Sequence, residues 1–289
     1  MSIKASFFSR LTSSNLESKL VTVIKPGSGW QFVDFNELRE YRDLFFFLVW
    51  RDIKVLYAQT ILGFSWALLQ PLAQIVIFTI IFGKVAKIAT DGIPYMLFST
   101  VAIIPWTYMS QAMSGSSQSL VTNQRMLKKI YFPRLIFPMA PVLARLVDFG
   151  ISLIILLPVL IWYDIMPTWK ILLLPVFVIQ MICVAAGFGM WSSTLAVRFR
   201  DVKHAMPFVT RMLMYSAPIV YSASPISEKY RLLYSLNPIV GVIEGFRSCV
   251  LNTPLVWSYI WPSILVSIIF FVSGILYFKR MEWLFADVV

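Results

Sequence analysis

The residues of this chain that could do chemistry are few, and most of them form charged pairs. Glu244 and Arg247 stand three residues apart, as do Arg145 and Asp148. Residues at that spacing share one face of a helix, so each pair can form an ion bridge. Glu244 could also serve as a lone general base, but the sequence identifies no acid partner for it. His204 is the only histidine, which argues against a histidine metal site or a serine–histidine relay.

Nucleotide and redox chemistry have little support in the sequence. No glycine begins a phosphate-binding loop that ends in Gly-Lys-Ser or Gly-Lys-Thr, so any ATP must bind to another chain. We therefore predict no cofactor on this chain. Cys183 and Cys249 are too few for a disulfide framework, and we interpret them as small buried apolar residues.

The composition is that of a membrane protein. Of the 289 residues, 58% are hydrophobic and only 13% are charged, whereas soluble domains have roughly 25% charged residues. Four long runs, 55–83, 92–124, 171–197 and 248–278, contain no charge at all. Each is longer than the roughly 20 residues with which a helix crosses a bilayer. The net charge of +11 then fits basic cytoplasmic loops better than a nucleic-acid partner.

These runs predict an all-α integral membrane protein with six transmembrane helices and both termini in the cytoplasm. The expected spans are 60–82, 95–120, 135–162, 169–197, 205–221 and 256–278. Residues 59–289 form this domain. The polar stretch 110–119 in the second span predicts contact with a partner helix or a hydrated pathway. Arg145 and Asp148 in the third span are either a structural pair or residues that line the pathway.

Two further segments flank or interrupt the spans. Residues 37–58 predict an amphipathic interface helix, because Glu40, Asp43, Arg51 and Lys54 share an arc of about 80° at ~100° per residue. The preceding residues, 1–36, read as a cytoplasmic arm. Residues 223–255 are too broken to span and too apolar for a free loop. They predict a re-entrant helical hairpin before the last span.

Some aromatic residues near the span ends could provide stacking surfaces for sugars, although most aromatic residues of such a chain belong to interface belts. The candidate channel aromatics are Phe64, Trp66, Trp106, Tyr108, Tyr215 and Tyr221.

Four strings, taken in order, resemble a known family. They are WRDIKVLYAQTILGFSWALLQP (50–71), PWTYMSQAMSGSSQSLVTNQRMLKKIYFPRLIFP (105–138), VRFRDVKHA (197–205) and NPIVGVIEGFR (237–247). Together they resemble the permease subunit of type-2 ABC exporters. The polysaccharide branch that exports O-antigen is the best match, with capsule and teichoic acid exporters more loosely similar. The resemblance covers residues 30–289.

The resemblance implies a homodimer in the bacterial inner membrane that works with two ATPase subunits, which bind ATP and magnesium. The substrate would be a polysaccharide on an undecaprenyl diphosphate lipid. The cytoplasmic gate would be the interface helix with Arg51, Asp52 and Lys54, and the outer gate would be the hairpin with Glu244 and Arg247. The residues expected to couple to the ATPase are Gln124, Arg125, Lys128, Lys129, Tyr131, Arg198, Arg200, Asp201 and Lys203.

Two other functions fit parts of the sequence. A membrane enzyme acting on a lipid-linked glycan would use Glu244 with Arg247, but it would lack a carboxylate cluster or a metal set. An ion-coupled carrier would use Arg145 and Asp148, but the three-plus-three repeat of many carriers is not seen. Co-purification with a partner ATPase would favour the exporter, whereas activity of the purified chain alone would exclude it.

Overall fold

The computed structural model describes residues 39–58, 63–127, 132–166, 168–199 and 201–282, and every regular element among them is helical. A π-helical stretch, Thr79–Val85, follows the helix Ser65–Phe78, and a 3₁₀ turn, Trp169–Leu173, precedes the helix Leu174–Arg198. The α-helices are α1 Arg42–Tyr57, α2 Ser65–Phe78, α3 Tyr95–Thr122, α4 Gln124–Leu127, α5 Ile136–Trp162, α6 Leu174–Arg198, α7 Val202–Ser216, α8 Glu228–Ser235, α9 Pro238–Leu251 and α10 Trp257–Met281.

Four of the six predicted spans are helices long and apolar enough to cross a membrane. They are Ser65–Val85, Ile136–Trp162, Trp169–Arg198 and Trp257–Met281. The second predicted span is the 28-residue α3, which is long enough but more polar. The fifth is α7, whose 15 residues reach only about 22 Å at ~1.5 Å per residue. The structure therefore supports an all-α membrane protein, and the count of six spans stays a prediction.

The polar character of α3 is explained by its central position. It packs most extensively on α5 and α6, and most of its side chains are buried, including Ser99, Thr100, Ser116 and Ser117. A helix that is enclosed by other helices need not be apolar on every face, because its hydroxyls bond to protein. Ser116 Oγ, for example, donates to the carbonyl of Pro138 on α5 at 2.7 Å.

Small residues let the helices approach closely where α6 crosses its neighbours. A Cβ atom on Gly187 would lie 3.0 Å from the backbone of Phe271 on α10. A Cβ atom on Gly189 would lie 2.4 Å from the Cβ of Ser116 on α3. Such contacts are the usual way in which helices associate in lipid, where no hydrophobic effect drives them together.

The interface helix predicted for 37–58 is present as α1, and it lies along α5. Leu48 is fully buried in this contact, whereas Phe46, Phe47 and Trp50 on other faces are 57–68% exposed. An exposed apolar face beside charged residues suits a helix at a membrane surface. The predicted start at 37 and the arm 1–36 lie outside the described residues.

The bundle has two chemically different ends. At the basic end, α3 leads into α4, α5 begins, α6 finishes at Arg198, and α10 finishes with Lys279 and Arg280. At the hairpin end, α8 and α9 stand between α7 and α10. Below we use these two names for the two ends.

Candidate functional site

The segment predicted to be re-entrant, 223–255, contains two successive helices, α8 and α9, which we call the hairpin; their re-entry into the membrane stays a prediction. Helices α8 and α9 are joined by Leu236 and Asn237 alone. Asn237 caps α9, because its Oδ1 accepts a hydrogen bond from the backbone N–H of Ile239 at 3.1 Å, and Pro238 occupies the first helical position. Asparagine caps and a first-turn proline are favoured at helix starts. The sequence NPI thus determines where the chain turns back.

Hydrogen bonds hold the turn of the hairpin against α10. Ser263 Oγ donates to the carbonyl of Ser235 at 2.8 Å and accepts from the backbone N–H of Gly241 at 3.1 Å. Ser263 lies six residues after the start of α10 at Trp257, which is about 9 Å along the helix. At the other end of α9, Lys170 Nζ donates to the carbonyl of Thr253 at 2.9 Å. The turn is therefore deeper in the bundle than the end of α9, with its broken backbone satisfied by protein.

Two glycines on α9 allow its close packing on α10 and α6, and neither is among the residues predicted from the sequence. A Cβ atom on Gly241 would lie 2.3 Å from the Cβ of Ser263, and one on Gly245 would lie 2.1 Å from the ring of Phe177. Both distances are far below any normal contact. The signal was available, because glycines four residues apart on an apolar helix are typical of close helix packing.

Glu244 and Arg247 form the predicted ion pair, and they lie in the interior. The Nη1 atom of Arg247 is 2.5 Å from Glu244 Oε1, and the two side chains are 5% and 15% exposed. The guanidinium also donates from Nη2 to the carbonyl of Pro218 at 2.8 Å and lies 3.7 Å from the ring centroid of Phe98. Burial raises the pKa of Glu244, and Arg247 opposes that shift. The pair is therefore enclosed and bonded to its surroundings, and its role as an outer gate stays a prediction.

A segment between α7 and α8, which we call the connector (217–227), is held at several points. Besides the Arg247 bond to Pro218, Tyr95 Oη donates to the carbonyl of Val220 at 2.9 Å, and Tyr259 Oη donates to that of Ala223 at 3.0 Å. Asp91 accepts hydrogen bonds from the hydroxyls of Ser222 and Ser224. Side chains from α3, α9 and α10 thus secure the chain that carries the hairpin.

Two of the three predicted cytoplasmic gate residues are already paired with each other. Arg51 bridges its neighbour Asp52 at 2.7 Å, with both side chains partly buried. Lys54 is exposed, and its Nζ lies 5.4 Å from the ring centroid of Trp50. Of this gate set, Lys54 is the cation with the most access to an anionic ligand.

The predicted coupling residues that the structure describes are exposed at the basic end. Gln124 and Arg125 lie on α4, Arg198 ends α6, and Asp201 and Lys203 begin α7. Lys128, Lys129, Tyr131 and Arg200 lie outside the described residues. Contact with an ATPase stays a prediction for the whole set.

The six candidate channel aromatics separate into two groups. Phe64, Trp66 and Tyr215 are 54–57% exposed, and Tyr221 is half-buried. Trp106 and Tyr108, in contrast, are 4% and 2% exposed within the core. A ring that is enclosed on both faces cannot stack on a sugar in this conformation, so Trp106 and Tyr108 would have to become exposed to act as predicted. Their role as channel aromatics stays a prediction.

Comparison with known proteins identifies the family of this chain. The family model described as ABC-2 type transporter matches residues 43–251, from α1 to the end of α9. This chain belongs to the ABC-2 type transporter family.

Individual relatives of this ABC-2 transporter chain match it along most of its length. It is 26% identical over 251 residues to the O-antigen export system permease protein RfbA of Klebsiella pneumoniae, covering 86% of this chain and 95% of that protein. The protein of the same name from Myxococcus xanthus is 27% identical over 215 residues, or 74% and 82% of the two chains. The polysialic acid transport protein KpsM of Escherichia coli is 24% identical over 70% of this chain and 78% of its own. The resemblance to the O-antigen export permeases is thus confirmed.

Proposed function

We propose that this chain is the membrane permease subunit of an ATP-driven exporter that moves an O-antigen-like polysaccharide. The observation that carries the proposal is the similarity to two O-antigen export permeases, one of them along 86% of this chain. The similarity to a polysialic acid transport protein supports the broader class of polysaccharide export. We infer, more finely, that the polysaccharide is carried on undecaprenyl diphosphate and leaves the cytoplasm across the bacterial inner membrane.

The geometry supports a working unit of two copies with two ATPase subunits. In the single chain, only 11% of the most apolar part of Ser65–Val85 is buried, so α2 is mostly exposed. Helix α7 also exposes Phe208, Arg211 and Tyr215. A second copy facing these two helices would create a pathway between the protomers. The ATPase subunits would bind ATP and magnesium and push on α4 and the α6–α7 turn. Both termini are then cytoplasmic, as the basic loops favour.

A half-exposed polar face supports a hydrated route through such a pathway. Gln111, Ser114 and Gln118 lie on one side of α3, and each is only partly buried. Gln70 on α2 is exposed next to Gln111. Amides and hydroxyls can exchange hydrogen bonds with passing sugar hydroxyls, which an apolar wall could not do. This face belongs to the polar stretch 110–119, for which the sequence left open a partner helix or a hydrated pathway.

Glu244 gives an enzyme reading little support. Its carboxylate is 15% exposed and paired to Arg247 at 2.5 Å. A general base must reach the proton that it removes, and this carboxylate is already engaged on an enclosed face.

Deleting the chain in its host tests the proposed function. Lipid-linked polysaccharide should accumulate at the cytoplasmic face, and the wild-type chain should restore its export. Absence of the polysaccharide after deletion would instead assign the chain to synthesis. Purification of the tagged chain should bring down an ATPase subunit, and transport activity of the purified chain alone would contradict the proposal.

Changing the gate cations tests recognition of the lipid diphosphate. Anionic groups attract each Lys or Arg near a membrane surface by about 1 kcal/mol. Replacing Lys54 with Gln should therefore weaken binding of the lipid-linked substrate by roughly fivefold. Arg51→Gln should have a smaller effect, because Arg51 is already paired with Asp52. Lys229→Gln, at the hairpin end, is the control. Unchanged affinity and export in Lys54→Gln would remove this residue from the recognition site.

A second substitution tests whether exposed rings guide the sugar. Trp66→Ala should reduce export several-fold at unchanged thermal stability, because it removes an exposed stacking surface without opening a cavity in the core. Trp66 is 54% exposed near the start of α2, and Trp257, at the start of α10, is a matched control at 56%. Equal loss of export in Trp66→Ala and Trp257→Ala would indicate interface-belt residues instead.

A further inference from the structure

A chain of polar contacts links α1 to three other helices. Tyr57, the last residue of α1, donates its phenol hydrogen bond to Asp148 Oδ1 on α5. Arg145 Nη1 donates to Asp148 Oδ2 at 2.7 Å and to Gln111 Oε1 on α3 at 2.9 Å. Gln111 Nε2 then donates to Gln70 Oε1 on α2 at 3.0 Å. The network thus connects α1, α5, α3 and α2 through side chains alone.

The end of α1 and the start of α2 both have contacts close to Asp148. The Tyr57 ring stacks on Phe64, with ring centroids 3.9 Å apart. One turn above Asp148, Ser152 Oγ donates to the carbonyl of Ala67 in the first turn of α2, at 3.2 Å. Asp148 therefore lies at the level where α2 begins. Because α1 has its main packing on α5, α5 is the element through which a displacement of α1 reaches the spans.

A displacement of α1 would break the hydrogen bond between Tyr57 and Asp148. Asp148 is 9% exposed, and an enclosed carboxylate that loses a donor is costly to leave unpaired. The apolar contacts of Leu48 and its neighbours can slide by small steps, but a hydrogen bond to a charged group depends steeply on distance. Burial raises the pKa of the Tyr57 phenol, and the hydrogen bond to Asp148 raises it further. The phenol therefore keeps the proton that it donates.

We propose that Tyr57 and Asp148 form a latch that couples the position of α1 to the arrangement of α2, α3 and α5 during transport. The proposal rests on the proposed function, in which α1 receives movement from a partner ATPase. With the latch closed, Asp148 holds Arg145 against Gln111, and Gln111 holds Gln70 on α2. When α1 moves away, Tyr57 leaves Asp148, Arg145 shifts toward the remaining carboxylate, and the Gln111–Gln70 bond is released. Tyr57 and Asp148 are positioning residues, because they act on the pathway through Arg145 and the two glutamines.

The test uses the complete exporter, with its ATPase subunits, reconstituted in proteoliposomes with lipid-linked polysaccharide. Tyr57→Phe removes only the hydroxyl, and Asp148→Asn keeps the shape of the side chain. Each variant should retain ATPase activity within about twofold, and Tyr57→Phe should keep a thermal stability near that of wild type, because Arg145 still pairs with Asp148. Polysaccharide exported per ATP should fall at least fivefold, a change that a merely structural role would not produce. Tyr41→Phe, at the other end of α1, is the matched control and should export normally.

The double variant identifies the latch. If Tyr57 and Asp148 act as one unit, Tyr57→Phe/Asp148→Asn should be no worse than Asp148→Asn alone. Unchanged export per ATP in Tyr57→Phe would overturn the proposal. So would additive losses, or losses that follow a fall in thermal stability. The proposed function fails separately, since in that case the wild-type exporter would move no polysaccharide in the same vesicles.

Discussion

Gly245→Ala is expected to unseat the hairpin and to abolish transport. The added Cβ atom would lie 2.1 Å from Phe177 Cε1 and 2.5 Å from its Cζ, and Phe177 is itself 3% exposed. The ring has no free space into which it could turn. Overpacking of an enclosed site typically costs about 1–3 kcal/mol, which corresponds to a Tm roughly 3–10 °C lower for a chain of this size. Thermal unfolding in detergent and export assays measure the two effects.

A matched control and a rescue make the Gly245 prediction specific. A Cβ atom on Gly150, in the third predicted span, would meet nothing within 4 Å. Gly150→Ala should therefore retain both Tm and export. Reducing the obstructing ring, in Gly245→Ala/Phe177→Leu, should recover most of the lost stability. If Gly245→Ala behaves like Gly150→Ala, α9 is not held against α6 as described.

The sequence predicted the apolar helices and the break between α8 and α9 well, because their signals are local. Runs without charge predict spans from length alone, and Asn237-Pro238 marks the turn through the preferences of single residues at helix starts. The pairs Glu244–Arg247 and Arg145–Asp148 were also foreseen, since three-residue spacing on a helix suffices to bring them together.

What the sequence could not provide was the set of neighbours of each helix face. Trp106 and Tyr108 look like residues of a span end, yet the position of α3 between α5 and α6 encloses them. Tyr57 and Asp148 are 91 residues apart in the chain, and no periodicity predicts their contact. The length of α7 was overestimated for a related reason. Residues 217–221 continue the apolar run, but their backbone is held in the connector by Arg247 and Tyr95.

Arg247→Met is expected to destabilise the protein more than any other single change considered. It leaves the carboxylate of Glu244 enclosed without its partner, and it leaves the carbonyl of Pro218 without the guanidinium donor. Breaking a buried ion pair by removing one partner costs about 3–5 kcal/mol, whereas replacing both partners is often close to neutral. The Tm should therefore fall by roughly 10 °C in Arg247→Met and by much less in Glu244→Gln/Arg247→Met.

The pH dependence of these two variants tests the cause. Burial raises the pKa of Glu244, and Arg247 lowers it, so removing Arg247 should raise that pKa further. An acid whose pKa is higher in the folded than in the unfolded protein favours folding below its unfolded pKa, about 4.3. That contribution is lost as the pH rises through the folded pKa. Arg247→Met should accordingly be more stable at pH 5 than at pH 8, by a margin that Glu244→Gln/Arg247→Met does not show.

The same variants decide between the two roles that the sequence left open for this pair. If the pair fixes the hairpin, export should follow stability: lost in Arg247→Met and largely retained in Glu244→Gln/Arg247→Met. If the charges open and close the outer mouth, the double variant should fold well and still fail to export. The enclosed position of both side chains, together with the bond from Arg247 to the connector, favours the first outcome. In that case opening of the hairpin end requires the hairpin and connector to move as one unit, with the ion pair intact between them.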